Sequence, residues 1–178
     1  MFGNDFTLLF YDVTTLYFET FEEDDLRKTG FSKDNKPQQP QILIGLLVNK
    51  EGFPLSYEVF SVNTFEGHTM LPVIKNFKAK LGIENITIVA DAAMISSANI
   101  AALREEKINY IVGARLGNIS NKMLLRIDTE LERTDGNHMR VTSETGDGYL
   151  ICGYSAKRYA KDKYEMDKQI TKAKRIME

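Results

Sequence analysis

Phe6-Thr7-Leu8-Leu9-Phe10-Tyr11-Asp12 and Ile86-Thr87-Ile88-Val89-Ala90-Asp91 share one pattern: an apolar, β-branched or aromatic run of strand length that stops on an aspartate. Runs of this kind read as buried central strands, where an ionised carboxylate is costly unless something compensates its charge. An acid at the end of a core strand of an α/β sheet projects into the crevice at the sheet's edge, where such folds place ligands. Two such strands, distant in sequence, are expected to lie side by side. Paired carboxylates on neighbouring strands most simply hold divalent metal ions, because hard cations prefer oxygen ligands. The structural alternative for each acid alone is a turn or a helix N-cap, since Asp side chains accept backbone N–H bonds. Asp91 precedes Ala92-Ala93-Met94-Ile95-Ser96, where capping would fit, although Ser96 is the better cap.

Outward from the first acid, the strand may run on through Leu16-Tyr17-Phe18. Residues 19–41 follow, rich in Asp, Glu, Lys, Asn and Gln and holding Pro37 and Pro40. That composition offers no apolar face and predicts a mobile loop. Ile42-Leu43-Ile44-Gly45-Leu46-Leu47-Val48 reads as a buried strand, Asn49-Lys50-Glu51-Gly52 as a hairpin turn, and Pro54 to Phe60 as its partner strand. The opening is therefore a three-stranded antiparallel meander. Met70, Leu71, Val73, Ile74, Phe77 and Leu81 have helical spacing, with Pro72 tolerable in the first turn and Gly82 as the stop. The Asp91 strand comes next, then a helix opened by Ser96 and Ser97, then a strand over 108–113. The order β-β-β-α-β-α-β predicts an α/β, RNase H-like mixed sheet, with a meander first and βα units extending it in parallel.

After Gly113 the chain turns polar. Asp135-Gly136-Asn137 and Gly146-Asp147-Gly148 signal turns, and only 139–143 and 149–154 read as strands, so an appended β-hairpin region is expected. Residues 161–177 read as a helix of weak amphipathicity, through Tyr164, Ile170, Ala173 and Ile176. The expected division is a partial catalytic core over 1–116, a β-rich insertion over 117–155 and a basic C-terminal helix over 156–178, truncated before a stop signal.

Composition excludes several classes. The 178 residues can bury a real core, and a net charge of −2 carries no global basic field that would advertise nucleic acid. Charge is nevertheless uneven: acids dominate 5–36, and bases dominate 157–178, whose default reading is a solvated helix face. A single cysteine, Cys152, rules out an internal disulfide and fits a reducing compartment. With no signal peptide and no membrane-length apolar run, the expectation is a cytoplasmic protein without a membrane partner.

Tyr11-Asp12-Val13-Thr14-Thr15-Leu16-Tyr17-Phe18, Gly52-Phe53-Pro54-Leu55 and Val89-Ala90-Asp91-Ala92-Ala93-Met94 resemble bacterial insertion-sequence transposases of the DDE type. The likeness is closest to the branch whose third acid lies in a Tyr-Arg-Glu-Lys pattern, and Tyr154 to Asp162 is similar to the segment those enzymes carry after the second acid. The resemblance spans nearly the whole chain in order and spacing. It implies an RNase H-like core, two divalent ions (Mg²⁺ or Mn²⁺), and cleavage then strand transfer at transposon-end DNA, with a homodimer possible in the full-length protein. By matching position Asp12 and Asp91 would be the first and second catalytic acids and the metal ligands. The third acid has no match, since Glu165 in Tyr164-Glu165-Met166-Asp167-Lys168 lacks the Arg and Lys spacing. It is expected beyond Glu178, as is a DNA-end-binding region before Met1. The chain reads as an internal fragment, inactive alone. Two metals about 3.5–4 Å apart can serve both the attacking water and the leaving oxyanion; Asp12 would bridge both ions and Asp91 would hold one.

Other residues carry weaker readings. Glu66 and His68 could position the active site or contact substrate, but helix capping with Thr64 is preferred. His138 reads as exposed, and Tyr11, Tyr17 and Phe18 as packing rather than base-stacking platforms. Lys157, Arg158, Lys161 and Lys163 could meet phosphates. Three competing classes remain: an actin-like ATPase, against which Asp12-Val13-Thr14-Thr15 lacks the glycine for backbone approach to phosphate; an aspartyl phosphatase, which would want Asp where Thr14 stands; and a transposase remnant that folds without chemistry.

Overall fold

A computed structural model describes residues 7–30, 32, 35–64, 66–94, 96–144 and 148–177. The chain divides into two compact units, Met1–Gly113 and Ala114–Glu178.

The first unit is built on five strands: β1 (Leu8–Tyr17), β2 (Gln41–Asn49), β3 (Pro54–Ser61), β4 (Thr87–Ala90) and β5 (Asn109–Val112). Their order is β3-β2-β1-β4-β5. β1, β2 and β3 form the antiparallel meander, and β4 then β5 add in parallel beside β1. The β2–β3 turn closes because the Asn49 side chain accepts the amides of Glu51 and Phe53, while Gly52 takes φ 82°, a conformation that side chains resist. Helix α1 (Met70–Leu81) joins β3 to β4, and α2 (Ser97–Glu105) joins β4 to β5. This meander followed by parallel βα units is the RNase H-like mixed sheet expected from the sequence.

Alternation along the strands decides where the core sits. Leu9, Tyr11, Leu47, Ile88 and Ala90 point to one face and pack against Met70, Val73, Ile74 and Phe77 of α1 and Leu103 of α2. The opposite face carries Phe10, Tyr57, Val59 and Ile111, all exposed. Gly82 ends α1 at φ 64°, with its N–H returning to the Lys78 carbonyl, the left-handed stop that glycine favours. Ser96 caps α2 by accepting the Asn99 amide. Lys75 on α1 pairs with Glu106 at the end of α2, 2.6 Å apart.

Several expectations need correction. β1 runs past Asp12 to Tyr17, the continuation that the sequence left open, so the acid lies inside the strand and not at its end; the Phe6 end of the expected run is outside the described residues. Thr64 does not cap α1. A 3-10 turn, Glu66–His68, precedes the helix, and Thr69 at the cap position makes no capping bond. The Glu66 side chain is outside the described part. Residues 18–40, where described, hold no helix or long strand, but short ties organise them: Lys28 bridges to Gln41, Asp24 accepts from Arg27, and Glu23 from Thr29.

The second unit differs more from expectation. It contains a helix, α3 (Asn121–Glu130), that the polar composition of this stretch obscured. Ser120 caps it by accepting the Met123 amide, and Met123, Leu124 and Ile127 form a short apolar stripe at helical spacing. Strands β6 (His138–Thr142) and β7 (Tyr149–Gly153) form the expected hairpin. Helix α4 (Ala156–Met177) starts at the boundary expected for the basic C-terminal helix, five residues before the stretch with helical spacing, where Ser155 accepts the Arg158 amide and Asp135 accepts the Ala156 amide. Among the described residues, no helix is long and apolar enough to cross a membrane.

Candidate active site

Asp12 and Asp91 each follow the stretch over which β1 and β4 pair. β1 and β4 are parallel and paired in register, Leu8 with Thr87, Leu9 with Ile88 and Phe10 with Val89. Two residues further along each strand stand Asp12 and Asp91. Neighbouring strands run about 4.8 Å apart, so the two acids are neighbours if the register holds two steps more. Asp12, by alternation along β1, shares the face of Phe10 opposite the helices, and both acids are exposed. On its other side Asp12 lies across from Leu46 of β2.

The two backbones around these acids are held differently. Asp12 is fixed by the ladder on β2 and by its neighbour Tyr11, whose ring crosses the core face. The Tyr11 hydroxyl donates to Thr69 Oγ1 at 2.7 Å. Burial pushes the Tyr11 phenol up to about 12 against an ordinary 10, outweighing the opposing effect of its Thr69 hydrogen bond, so it stays a neutral donor. Gly45, beside it on β2, makes room: a Cβ there would collide with the Tyr11 hydroxyl. Asp91, by contrast, sits one residue past β4, before a second 3-10 turn, Ala92–Met94. Its Oδ1 and its carbonyl both accept the Met94 amide at 3.3 Å. Gly113, at the end of β5, lies so close that a Cβ would come within 2.9 Å of the Ala92 nitrogen. Asp91 thus has a turn-forming bond at its carboxylate.

The exposed Asp12 and Asp91 carboxylates are hard oxygen donors, the donor chemistry that fits a divalent cation. Among the described residues, no group of three or more His, Cys, Asp and Glu comes together. His68 is exposed on the 3-10 turn before α1, and that turn packs against the turn after Asp91. In the second unit His138 is exposed, as expected, with its ring against the Gly136 carbonyl. Lys157, Arg158, Lys161, Lys163 and Glu165 all lie exposed on α4, with Arg158 paired to Asp162 at 3.0 Å. Burial raises the Cys152 thiol, consistent with an inert side chain.

Asn99 and the Tyr11–Thr69 bond were not singled out from the sequence. A signal for Asn99 did exist: it stands four residues before Leu103, so an amide shares the buried face of α2.

An RNase H-like mixed sheet with one acid inside its first strand and another just past its fourth is what this geometry defines. The transposase DDE domain profile matches residues 4–178, and the chain belongs to that family. Among solved structures the chain is similar to a Mos1 transposase paired-end complex with left transposon end, at 10% identity and TM-score 0.41, over 59% of this chain and 34% of that one. It is also similar to a piggyBac transposase synaptic complex with hairpin DNA, at 14% identity and TM-score 0.47, over 77% of this chain and 28% of that one. The chain thus spans about a third of the length of those relatives. No curated protein matches.

Proposed function

We propose that this chain is the catalytic core of an insertion-sequence DNA transposase that cleaves and joins transposon DNA ends, in the branch with the Tyr-Arg-Glu-Lys third acid. The observation that carries the reading is the in-register run of β1 and β4 toward Asp12 and Asp91, both exposed, in a chain of the DDE family. Asp12 and Asp91 are the catalytic acids and hold divalent metal, Mg²⁺ or Mn²⁺. Bound metal would supply charge stabilisation and an activated water for phosphodiester cleavage. Asp12, inside β1 and laddered to β2, would hold the shared ion from within the sheet. Asp91 would hold it from the strand end, and the bond from Met94 limits the directions its carboxylate can take.

The proposed partner is transposon-end DNA, bound by a homodimer of the full-length protein acting in the cytoplasm. Residues 1–116 form the core, 117–155 an inserted region, and the basic helix over 156–178 meets phosphate. With two acids assembled, the isolated chain should bind metal without cutting ends site-specifically, because placing both the attacking and leaving oxygens needs a further ligand.

Titration of the 178-residue chain with Mn²⁺ tests the site. Binding should weaken at least tenfold in Asp12→Asn and in Asp91→Asn. Binding indifferent to both would refute it. An end-cleavage assay on terminal-repeat DNA tests the second part: site-specific cutting abolished by Asp12→Ala would mean that one of the chain's own acids, Glu165 first, completes the set.

A further inference from the structure

Asn99 is a polar side chain in an apolar place. It is 4% exposed, on the face of α2 that also buries Leu103 in the core. A buried amide without partners is costly, and this one spends both donors on carbonyls: its side-chain nitrogen donates to Gly67 and, at 2.7 Å, to Met94. These two carbonyls belong to the two 3-10 turns at the sheet edge. One turn carries His68; the other follows Asp91 directly.

The second bond leads on to the acid. Met94 accepts Asn99 through its carbonyl and donates its own amide to Asp91, at both Oδ1 and the backbone oxygen. Asn99 therefore holds the turn whose amide holds the Asp91 carboxylate. β4 ends at Ala90, so the strand ladder does not do this.

We propose that Asn99 is a positioning residue: acting through Met94, it aims the Asp91 carboxylate toward a divalent cation shared with Asp12. The inference rests on the metal-site reading and extends it to a residue that touches neither metal nor substrate. Partners of this indirect kind typically change metal affinity 10- to 100-fold when removed. The lower end, about tenfold, is expected here, since the Ala92–Gly113 packing also restrains the turn.

The experiment is Mn²⁺ binding by the full chain, read by calorimetry or electron paramagnetic resonance beside the melting temperature of the metal-free protein. The variants are Asn99→Leu, which keeps the volume and loses both donors, Asn99→Ser, and Asp12→Asn. Phe77→Leu, in the core under α1, serves as a control for stability loss alone. Asn99→Leu should weaken Mn²⁺ about tenfold and Asn99→Ser less, while Phe77→Leu stays within twofold of the parent. Weakening that simply tracks melting temperature across all variants overturns the positioning role, as does parental affinity in both Asn99 variants. Binding that needs Asp12 but ignores Asn99 defeats this inference alone. Binding that ignores Asp12 defeats the metal site and the inference with it. If neither Asn99 variant folds, the parent decides: Mn²⁺ should slow exchange of the Met94 amide and the Asn99 side-chain amide, and unchanged exchange overturns the proposal.

Discussion

Gly45→Ala should destabilise this protein through one atom, the Tyr11 hydroxyl. The added methyl would overlap that oxygen and lie 3.1 Å from Tyr11 Cζ and 3.3 Å from Phe60 Cε2. Backbone effects alone favour alanine over glycine in a strand by about 0.5–1 kcal/mol. Against that stand overpacking, about 1–3 kcal/mol, and a displaced phenol that loses its 2.7 Å bond to Thr69, about 1 kcal/mol. The net expectation is a loss of about 2–3 kcal/mol. Tyr11→Phe alone removes the hydrogen bond and should cost about 1 kcal/mol. In the double variant the colliding oxygen is gone and the bond is already lost, so the combined cost should fall short of the sum by about 1–2 kcal/mol. Urea denaturation of the four proteins, compared at constant m, supplies the cycle. Additivity within about 0.5 kcal/mol would refute the reasoning, because it would mean that glycine is not there to admit the hydroxyl.

Tyr11 also carries a pH signature. A phenol held at about 12 instead of 10 contributes fully below pH 10 and loses that contribution as pH climbs through 12. The parent should lose up to about 2–3 kcal/mol more than Tyr11→Phe over that interval; parallel stability curves for the two would contradict it. Gly113→Ala forces the Ala92 backbone away, so Mn²⁺ affinity should drop several-fold, and an unchanged affinity would show that the turn after Asp91 tolerates the shift. Ser120→Ala removes the α3 cap and should cost the second unit about 1 kcal/mol, visible as faster amide exchange over 121–124. Phe77→Ala, emptying the fully packed space under α1, should cost about 3–5 kcal/mol in urea melts.

The first unit was readable because its apolar runs and its turn residues agree. Ile42–Val48 and Ile86–Ala90 offered only buried strands, and Gly52 and Gly82 marked stops that the backbone confirms at positive φ. Asp12 and Asp91 were readable as candidates, but the β1–β4 register was not: register between strands so far apart depends on how α1 packs, which no local pattern encodes. Asn99 was missed because its partners are backbone carbonyls, which have no sequence identity. The run of β1 past Asp12 was legible as an option because an exposed Asp is compatible with a strand whose outer face is open, and Thr14 and Leu16 continue the same alternation. In the second unit, α3 was hidden by its charge: its stripe of Met123, Leu124 and Ile127 is brief, and most of its surface is solvated.

The parallel pairing of β1 with β4 has a kinetic consequence. The meander β1-β2-β3 closes through neighbouring segments, whereas β4 must find β1 across everything from Asp12 to Asp91. Closing a loop of that length costs on the order of 4 kcal/mol of chain entropy, which only contacts made after closure can offset, so this docking belongs to the late, slow part of folding. A nascent chain can therefore hold a finished hairpin around Asp12 while Asp91 is still remote. The stretch that leads to Asp91 comes alongside the Asp12 strand only when β4 docks, and β5 adds to the sheet edge after that.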